Sequence, residues 1–158
     1  MTANSQDNLV SQENGKLSYQ IPDNWNISEF QKVNNNKIYG ATFFDVGKTA
    51  VFSVLEAPND TGIPNAKELD DEEAKNLTLN FFSPTSTFLT VENQKISGID
   101  VKYVKAKATT SKGLKLTANS YYVFHKGTFM KIDGVYTSDD EDEFLPIIKK
   151  IINSIKIN

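Results

Sequence analysis

Two runs in the first third of the chain are apolar on both of their faces, and this pattern restricts the fold more than any other feature. The runs are Lys37–Val46 and Thr49–Ala57, and Asp45-Val46-Gly47-Lys48 between them predicts a β-hairpin. Successive side chains of a strand point to opposite sides of the sheet, so we expect both faces of this hairpin to be covered. One face of the first run carries Ile38, Thr42, Phe44 and Val46, and the other carries Tyr39, Ala41 and Phe43.

Further strand patterns precede and follow this hairpin, and short Gly-containing turns join the last three. The turns are Ser111-Lys112-Gly113 and Lys126-Gly127, which predict a meander of antiparallel strands. The predicted strands are Lys16–Ile21, Thr87–Glu92, Ile99–Thr109, Leu114–His125 and Thr128–Tyr136.

Two segments have the signals of amphipathic helices. Asn65 can cap a helix over residues 66–82, which Pro84 ends. Ser138-x-x-Glu141 matches a capping box before a second helix, in which Pro146 predicts a late start or a kink. The apolar stripe of this second helix consists of Phe144, Ile148, Ile151, Ile152 and Ile155.

These elements predict an α+β fold, an αβα sandwich. A central, mostly antiparallel sheet of about six to seven strands would carry a helix on each face. The chain has 158 residues, a length that suits a single domain. Residues 1–15 are polar and aperiodic, which predicts a flexible lead-in to one globular domain over residues 16–158.

The composition excludes several kinds of function. There is no cysteine, so thiolate metal sites, disulfides and cysteine nucleophiles are absent. There is also no arginine, which supplies the bidentate contacts typical of phosphate and guanine recognition, so we expect no nucleic-acid partner. No glycine motif for nucleotides occurs, and we expect no cofactor. No apolar stretch is long enough to span a membrane, which leaves a lipid anchor lost by truncation as the means of membrane contact.

Two stretches and the order of the elements resemble the PsbP-like family. This family includes the extrinsic photosystem subunit P, a yeast Ran-binding protein family and many bacterial lipoproteins of unassigned role. The resemblance implies a PsbP-like domain over most of residues 16–158, and an accessory or binding role without catalytic residues. The matching stretches are Tyr19-Gln20-Ile21-Pro22-Asp23-Asn24-Trp25 near the N-terminus, and Gly127–Ile132, Tyr136–Ser138, Phe144–Ile148 and Ile152–Ile155 near the C-terminus.

Three groups of residues are candidate sites, and we interpret each of them as structural. His125 is the only histidine, and no nucleophile motif accompanies it. The acidic run Asp139–Glu143 lacks the ligand spacing and central glycine of a calcium loop, and acids before a helix favour its dipole. We therefore expect neither a catalytic residue nor a metal site. Strand aromatics that could line a pocket, but are typical of a core, are Tyr39, Phe43, Phe44, Phe52, Tyr103, Tyr122, Phe124 and Phe129.

Five lysines on one predicted hairpin are the candidate partner-binding residues. An anionic partner could contact them, although lysines also protect exposed strand edges. Lys105 and Lys107 share one face of their strand and Lys102 lies on the other. The set is Lys102, Lys105, Lys107, Lys112 and Lys115.

The leading functional hypothesis is a non-enzymatic binding or accessory domain that contacts a protein partner. We expect it to be the exported part of a bacterial surface lipoprotein, located outside the cell or on its surface. Two alternatives remain open at this stage. One is a small hydrolase or lyase that uses carboxylates and His125; the other is a structural module that oligomerises through an edge strand.

Overall fold

Tight turns join successive strands through much of the chain, so neighbours in sequence pair antiparallel. The computed structural model describes residues 8–158. The strands are β1 (Leu9–Asn14), β2 (Leu17–Pro22), β3 (Asn26–Ile27), β4 (Gln31–Val33), β5 (Asn36–Asp45), β6 (Lys48–Pro58), β7 (Thr87–Ile96), β8 (Ile99–Thr109), β9 (Lys115–His125), β10 (Thr128–Thr137) and β11 (Lys156–Ile157). The α-helices are α1 (Asp71–Phe81) and α2 (Glu141–Ser154).

Within residues 8–158, the main sheet has eight strands. Its order is β3-β5-β6-β10-β9-β8-β7, and β4 pairs with β5 beside this path. The strands β1, β2 and β11 form a separate three-stranded sheet, and every strand pair in both sheets is antiparallel. The α+β class and the mostly antiparallel sheet are therefore confirmed, with one strand more than the upper predicted number.

The predicted lead-in over residues 1–15 differs from the structure at Leu9–Asn14, which forms β1. This polar segment pairs with β2 along its whole length, and Asn14 Nδ2 donates a hydrogen bond to Tyr19 Oη at 2.8 Å. Pairing with a neighbouring strand satisfies the backbone without an apolar pattern, which is why hydropathy gave no signal. Residues 1–7 of the lead-in lie outside the described residues.

The first helix begins later than predicted. Asn65 caps only a single 3₁₀ turn at Ala66–Glu68, where its Oδ1 accepts from the Lys67 amide at 3.0 Å. The α-helix then starts with a capping box in which Asp70 Oδ1 accepts from the Glu73 amide at 2.8 Å. The acidic residues Asp70–Glu73 therefore form the start of α1.

The capping box predicted at Ser138 is wrong. Ser138–Asp140 form a 3₁₀ turn, and α2 begins at Glu141 without a side-chain cap. The Ser138 hydroxyl instead bonds to the Thr117 hydroxyl of β9 at 2.8 Å, a contact between segments distant in sequence. Pro146 lies inside α2, where it removes one backbone donor from the helix.

Two apolar clusters fill the interior, and alternate residues of β9 divide between them. Tyr121 and Val123 belong to the larger cluster, together with the apolar stripe of α2. Tyr122 and Phe124 belong to the smaller cluster, together with Ala74 of α1. This division follows the two-residue repeat of a strand.

The expectation that both faces of the β5–β6 hairpin are covered is wrong for one face of β5 and for the turn that follows it. Phe44 is 75% exposed, Val46 is 90% exposed and Ile38 is 38% exposed. The reason is the position of α1, which packs on β7 and β8, whereas β5 lies at the opposite side of the sheet.

Close packing of α2 depends on the absence of a side chain at Gly134 of β10. A Cβ atom at this position would lie 2.3 Å from Ile148 Cγ2, far inside van der Waals contact. Ile148 is completely buried, so it has no free volume into which to move.

We expect the substitution Gly134→Ala to lower the free energy of unfolding by about 1–3 kcal/mol, because overpacking forces α2 away from the sheet. Urea denaturation of the purified protein measures the loss. The matched control repeats the substitution in an Ile148→Ala background, where the added methyl has space and its cost should nearly vanish. An equal cost in both backgrounds would show that Ile148 is not the obstacle.

Candidate functional site

The structure divides the five candidate lysines into two that pair with acids of the helices and three that are exposed. Lys102 and Lys105 lie three positions apart in β8, so their side chains project from opposite faces of the sheet. Lys102 Nζ lies 3.0 Å from Asp71 Oδ1 of α1, and Lys105 Nζ lies 2.7 Å from Glu141 Oε1 of α2. Both side chains therefore attach a helix to the sheet.

The remaining lysines lie where the β8–β9 hairpin ends, and we call Lys107, Lys112 and Lys115 the lysine end. All three side chains are exposed. Lys107 and Lys115 line a cleft of about 530 Å³ with Asp139 and with Ser138 of the 3₁₀ turn. Among the ion pairs formed within residues 8–158, none includes a residue of the lysine end. These three ammonium groups are therefore exposed and lie outside the ion pairs of the described residues.

A chain of hydrogen bonds continues inward from Lys105 under the start of α2. Tyr136 Oη donates to Glu141 Oε1 at 2.8 Å, and Asn119 Nδ2 donates to Tyr136 Oη at 3.3 Å. Tyr103 Oη donates to Asn119 Oδ1 at 2.5 Å. The hydrogen bond from Lys105, with that from Tyr136, lowers the pKa of Glu141. This network fixes the start of α2 over β8, β9 and β10.

A second cleft lies beside this network, between α2 and strands β7–β9. We call it the tyrosine cleft; its volume is about 440 Å³. Tyr103 and Tyr121 form one wall with ring centroids 4.9 Å apart, because the register of the hairpin places them directly opposite each other. The other lining residues are Thr90, Glu92, Gln94, Lys95, Lys105, Leu145, Lys149, Ile152 and Asn153.

Of the eight strand aromatics considered as a pocket, only Tyr103 lines the tyrosine cleft. Phe43 lines another cleft, of about 520 Å³, with Trp25 and Phe144. Tyr121 was missed by the sequence reasoning, although a signal was available. The turn at Ser111-Lys112-Gly113 fixes the strand register, and the register alone pairs position 103 with position 121.

The other candidates from the sequence, His125 and the acidic run Asp139–Glu143, do not form a common site. His125 is half-buried at the end of β9, and burial, then Lys126, lowers its pKa. In the acidic run, Asp140 accepts from Thr137 and Glu143 pairs with Lys48. Across residues 8–158, no three histidine or acidic side chains are grouped closely enough to hold a metal ion.

A buried polar cluster on β9 and β10 had no counterpart in the sequence analysis. Lys131 Nζ contacts Asp133 Oδ2, and Ser120 Oγ donates to Asp133 Oδ1 at 2.6 Å. Lys131 Nζ also lies 5.4 Å from the centre of the Phe81 ring of α1. Burial lowers the pKa of Lys131 to about 8, although the adjacent carboxylate opposes this shift. With its polar groups paired, the cluster stabilises the packing of α1.

We expect Lys105→Gln to destabilise the protein by about 0.5–1 kcal/mol at neutral pH, the range of a partly exposed ion pair. Because the pKa of Glu141 is lowered in the folded state, its stabilisation is present above the ordinary value of 4.5 and is lost as the pH falls through the lowered pKa. The difference between wild type and variant should therefore shrink below that pH. Urea denaturation at a series of pH values measures it, with the exposed Lys156→Gln as control. A difference that stays constant down to acidic pH would contradict the role of this pair.

This chain is similar to known proteins in its fold, whereas its sequence matches none of the families or curated proteins compared. No protein-family model and no curated protein matches the sequence. Cyanobacterial PsbP (CyanoP) from Synechocystis is similar in structure with a TM-score of 0.68 and 9% identity, over 96% of this chain and 93% of that one.

Two bacterial proteins are similar to a comparable extent. PA94 of Pseudomonas aeruginosa, a protein of unknown function, has a TM-score of 0.61 and 13% identity over 95% of this chain and 97% of its own. LpqN, involved in cell envelope biogenesis of Mycobacterium tuberculosis, has a TM-score of 0.58 and 13% identity over 100% of this chain and 96% of its own. The names of these proteins specify no enzymatic activity. The resemblance to the PsbP-like family is thus confirmed at the level of the fold.

Proposed function

We propose that this chain is a non-enzymatic accessory domain that binds a protein partner through the lysine end. The observation that carries the proposal is the different use of the five lysines. Lys102 and Lys105 are held in ion pairs with the two helices. The three lysines of the lysine end are exposed, and Lys107 and Lys115 line a cleft. Exposed like charges at one end of a sheet attract a surface of the opposite sign.

The partner should therefore present acidic side chains. The lysine end contributes three positive charges within a chain whose net charge is −3, so the attraction is local and does not come from the whole molecule. An electrostatic contact of this kind acts mainly on the rate of association and weakens with salt.

We also propose that the domain is exported, and that in the full protein it is attached to the bacterial surface by a lipid anchor. Two observations support an envelope location. The fold is similar to that of LpqN, which is involved in envelope biogenesis. Within the described part of the chain, neither helix has the length and apolar character needed to cross a membrane, so attachment would need another device. The gene sequence tests this proposal: a leader peptide followed by a lipobox cysteine should precede the present segment.

The αβα arrangement belongs to the same proposal, since it would leave the ends of the sheet free for a partner. Its support is the division of side chains between the two clusters. The stripe of α2 packs with Tyr121 and Val123, while Ala74 of α1 packs with Tyr122 and Phe124. Because successive residues of β9 point to opposite sides, the helices are proposed to cover opposite faces.

Affinity capture from the envelope fraction of the source organism tests the partner. The bait is the full chain, and the variant carries Lys107→Glu, Lys112→Glu and Lys115→Glu. We expect the wild type to retain a specific acidic protein and the variant to lose it at least about tenfold, since reversed charges repel the same surface. The retained amount should also fall as salt is added.

The matched control replaces three lysines elsewhere, Lys32, Lys37 and Lys156, with glutamate, which gives the same change in net charge. Lys102 and Lys105 are left intact because their replacement would loosen the helices. If both variants lose the captured protein equally, the binding depends only on net charge. If both retain it as the wild type does, the lysine end is not the binding surface.

A further inference from the structure

The hydroxyl of Tyr121 differs from those of the other tyrosines. Tyr121 is 5% exposed, and its hydroxyl makes no hydrogen bond with any residue in the range 8–158. The other five tyrosines all have side-chain partners: Tyr19 with Asn14, Tyr39 with Glu56, Tyr103 with Asn119, Tyr122 with Thr78, and Tyr136 with Glu141. A buried tyrosine hydroxyl normally has a partner.

The hydroxyl of Tyr121 faces the tyrosine cleft, as a comparison with the other buried polar atoms indicates. In the described residues, every side-chain polar atom that is fully enclosed has a hydrogen-bond partner. Because the Tyr121 hydroxyl has none, it is not fully enclosed, and the space that Tyr121 lines is the tyrosine cleft. Burial, then the charge of Glu92, raises the pKa of Tyr121 to about 12. At neutral pH the group therefore offers a proton to whatever occupies the cleft.

The positive charge that the cleft offers to an anion is that of Lys149, because its two other lysines are paired with acids. Three lysines, Lys95, Lys105 and Lys149, face one carboxylate, Glu92. Lys95 pairs with Asp100 and Lys105 with Glu141. Lys149, exposed on α2, forms no ion pair within residues 8–158, so its charge remains available at the rim.

The walls of the cleft add an apolar surface next to these polar groups. The adjacent rings of Tyr103 and Tyr121, tilted by 32° to each other, form one side, and Leu145 and Ile152 of α2 belong to the other. Small-molecule sites combine apolar walls with a few convergent polar groups in this way, within volumes of roughly 300–1,000 Å³. The 440 Å³ of this cleft accommodates one ring and its substituent.

We propose that the tyrosine cleft binds a small anion that carries a ring, with its carboxylate or phosphate held by the Tyr121 hydroxyl and the Lys149 ammonium, and its ring packed between the tyrosines and α2. This site shares no residue with the lysine end. Its success or failure is therefore independent of the partner proposed above.

Nuclear magnetic resonance titration of the full chain tests the site, with benzoate, glucuronate and inorganic phosphate as probes. We expect benzoate or glucuronate to shift amide signals of β7, β8 and α2 residues around the cleft. Phosphate, which has no ring, should bind more weakly than the better of the two. A comparison of benzoate with glucuronate shows whether the ring is aromatic or a sugar.

Two variants assign the binding to the proposed groups. Tyr121→Phe keeps the ring and removes the hydroxyl, and Lys149→Gln removes the charge; each should raise the dissociation constant about fivefold to tenfold, the effect of one hydrogen bond or charge contact. The matched control, Lys156→Gln, removes a charge outside the cleft and should leave it unchanged.

Three outcomes would overturn the proposal. The first is no shift of cleft signals at probe concentrations up to about 10 mM, the weak limit of specific binding. The second is binding that neither Tyr121→Phe nor Lys149→Gln weakens. The third is phosphate binding as tight as that of both ring-bearing probes, which would remove any role of the ring.

Discussion

The approach of α2 to the sheet at Gly134 is the contact on which the rest of the structure depends. Ile148 occupies the space that a side chain at position 134 would need. Since α2 packs on β10 and on β2 of the smaller sheet, β7 and β8 are left less covered on that side. Both clefts are lined by residues of β7 and β8. The tyrosine cleft lies alongside α2, and the cleft of the lysine end lies beside the 3₁₀ turn that precedes α2. The packing of α2 on the sheet thus also determines where the two clefts lie.

The smaller sheet is joined to the main sheet by a second fixed point, the buried carboxylate of Glu56. Its Oε2 accepts from the Tyr39 hydroxyl and from the Lys16 amide, the latter at 2.9 Å. A Cβ at Gly15, whose φ is +55°, would lie 1.9 Å from the same oxygen. Glycine is therefore required at this turn both for its left-handed backbone and for the approach of Glu56. The contact holds β2 in place, and β2 in turn supports the end of α2 through the bond from the Gln20 amide to Ser154 Oγ.

Local sequence signals predicted the parts of the fold that depend on local chemistry. The turns Asp45-Val46-Gly47-Lys48, Ser111-Lys112-Gly113 and Lys126-Gly127 each join the strands that they were expected to join. Predictions failed where a distant residue decided the outcome. The Ser138 hydroxyl was expected to cap α2, but Thr117 of β9 binds it. Phe44 was expected to be covered, but α1 packs on β7 and β8 at the other side of the sheet, and the side chain stays 75% exposed.

The candidate sites also combine features that the local sequence determines with features that depend on distant residues. The sequence alone determined the β8–β9 hairpin, its register and therefore the pairing of Tyr103 with Tyr121, because turn geometry and the two-residue repeat are local properties. It also determined that five lysines lie on one hairpin. Only the tertiary structure decided which of them remain available, since the acids that neutralise Lys102 and Lys105 come from helices about thirty residues away or more. The same holds for the Tyr121 hydroxyl: whether a buried polar group is satisfied depends on every element packed around it, and no local pattern records that.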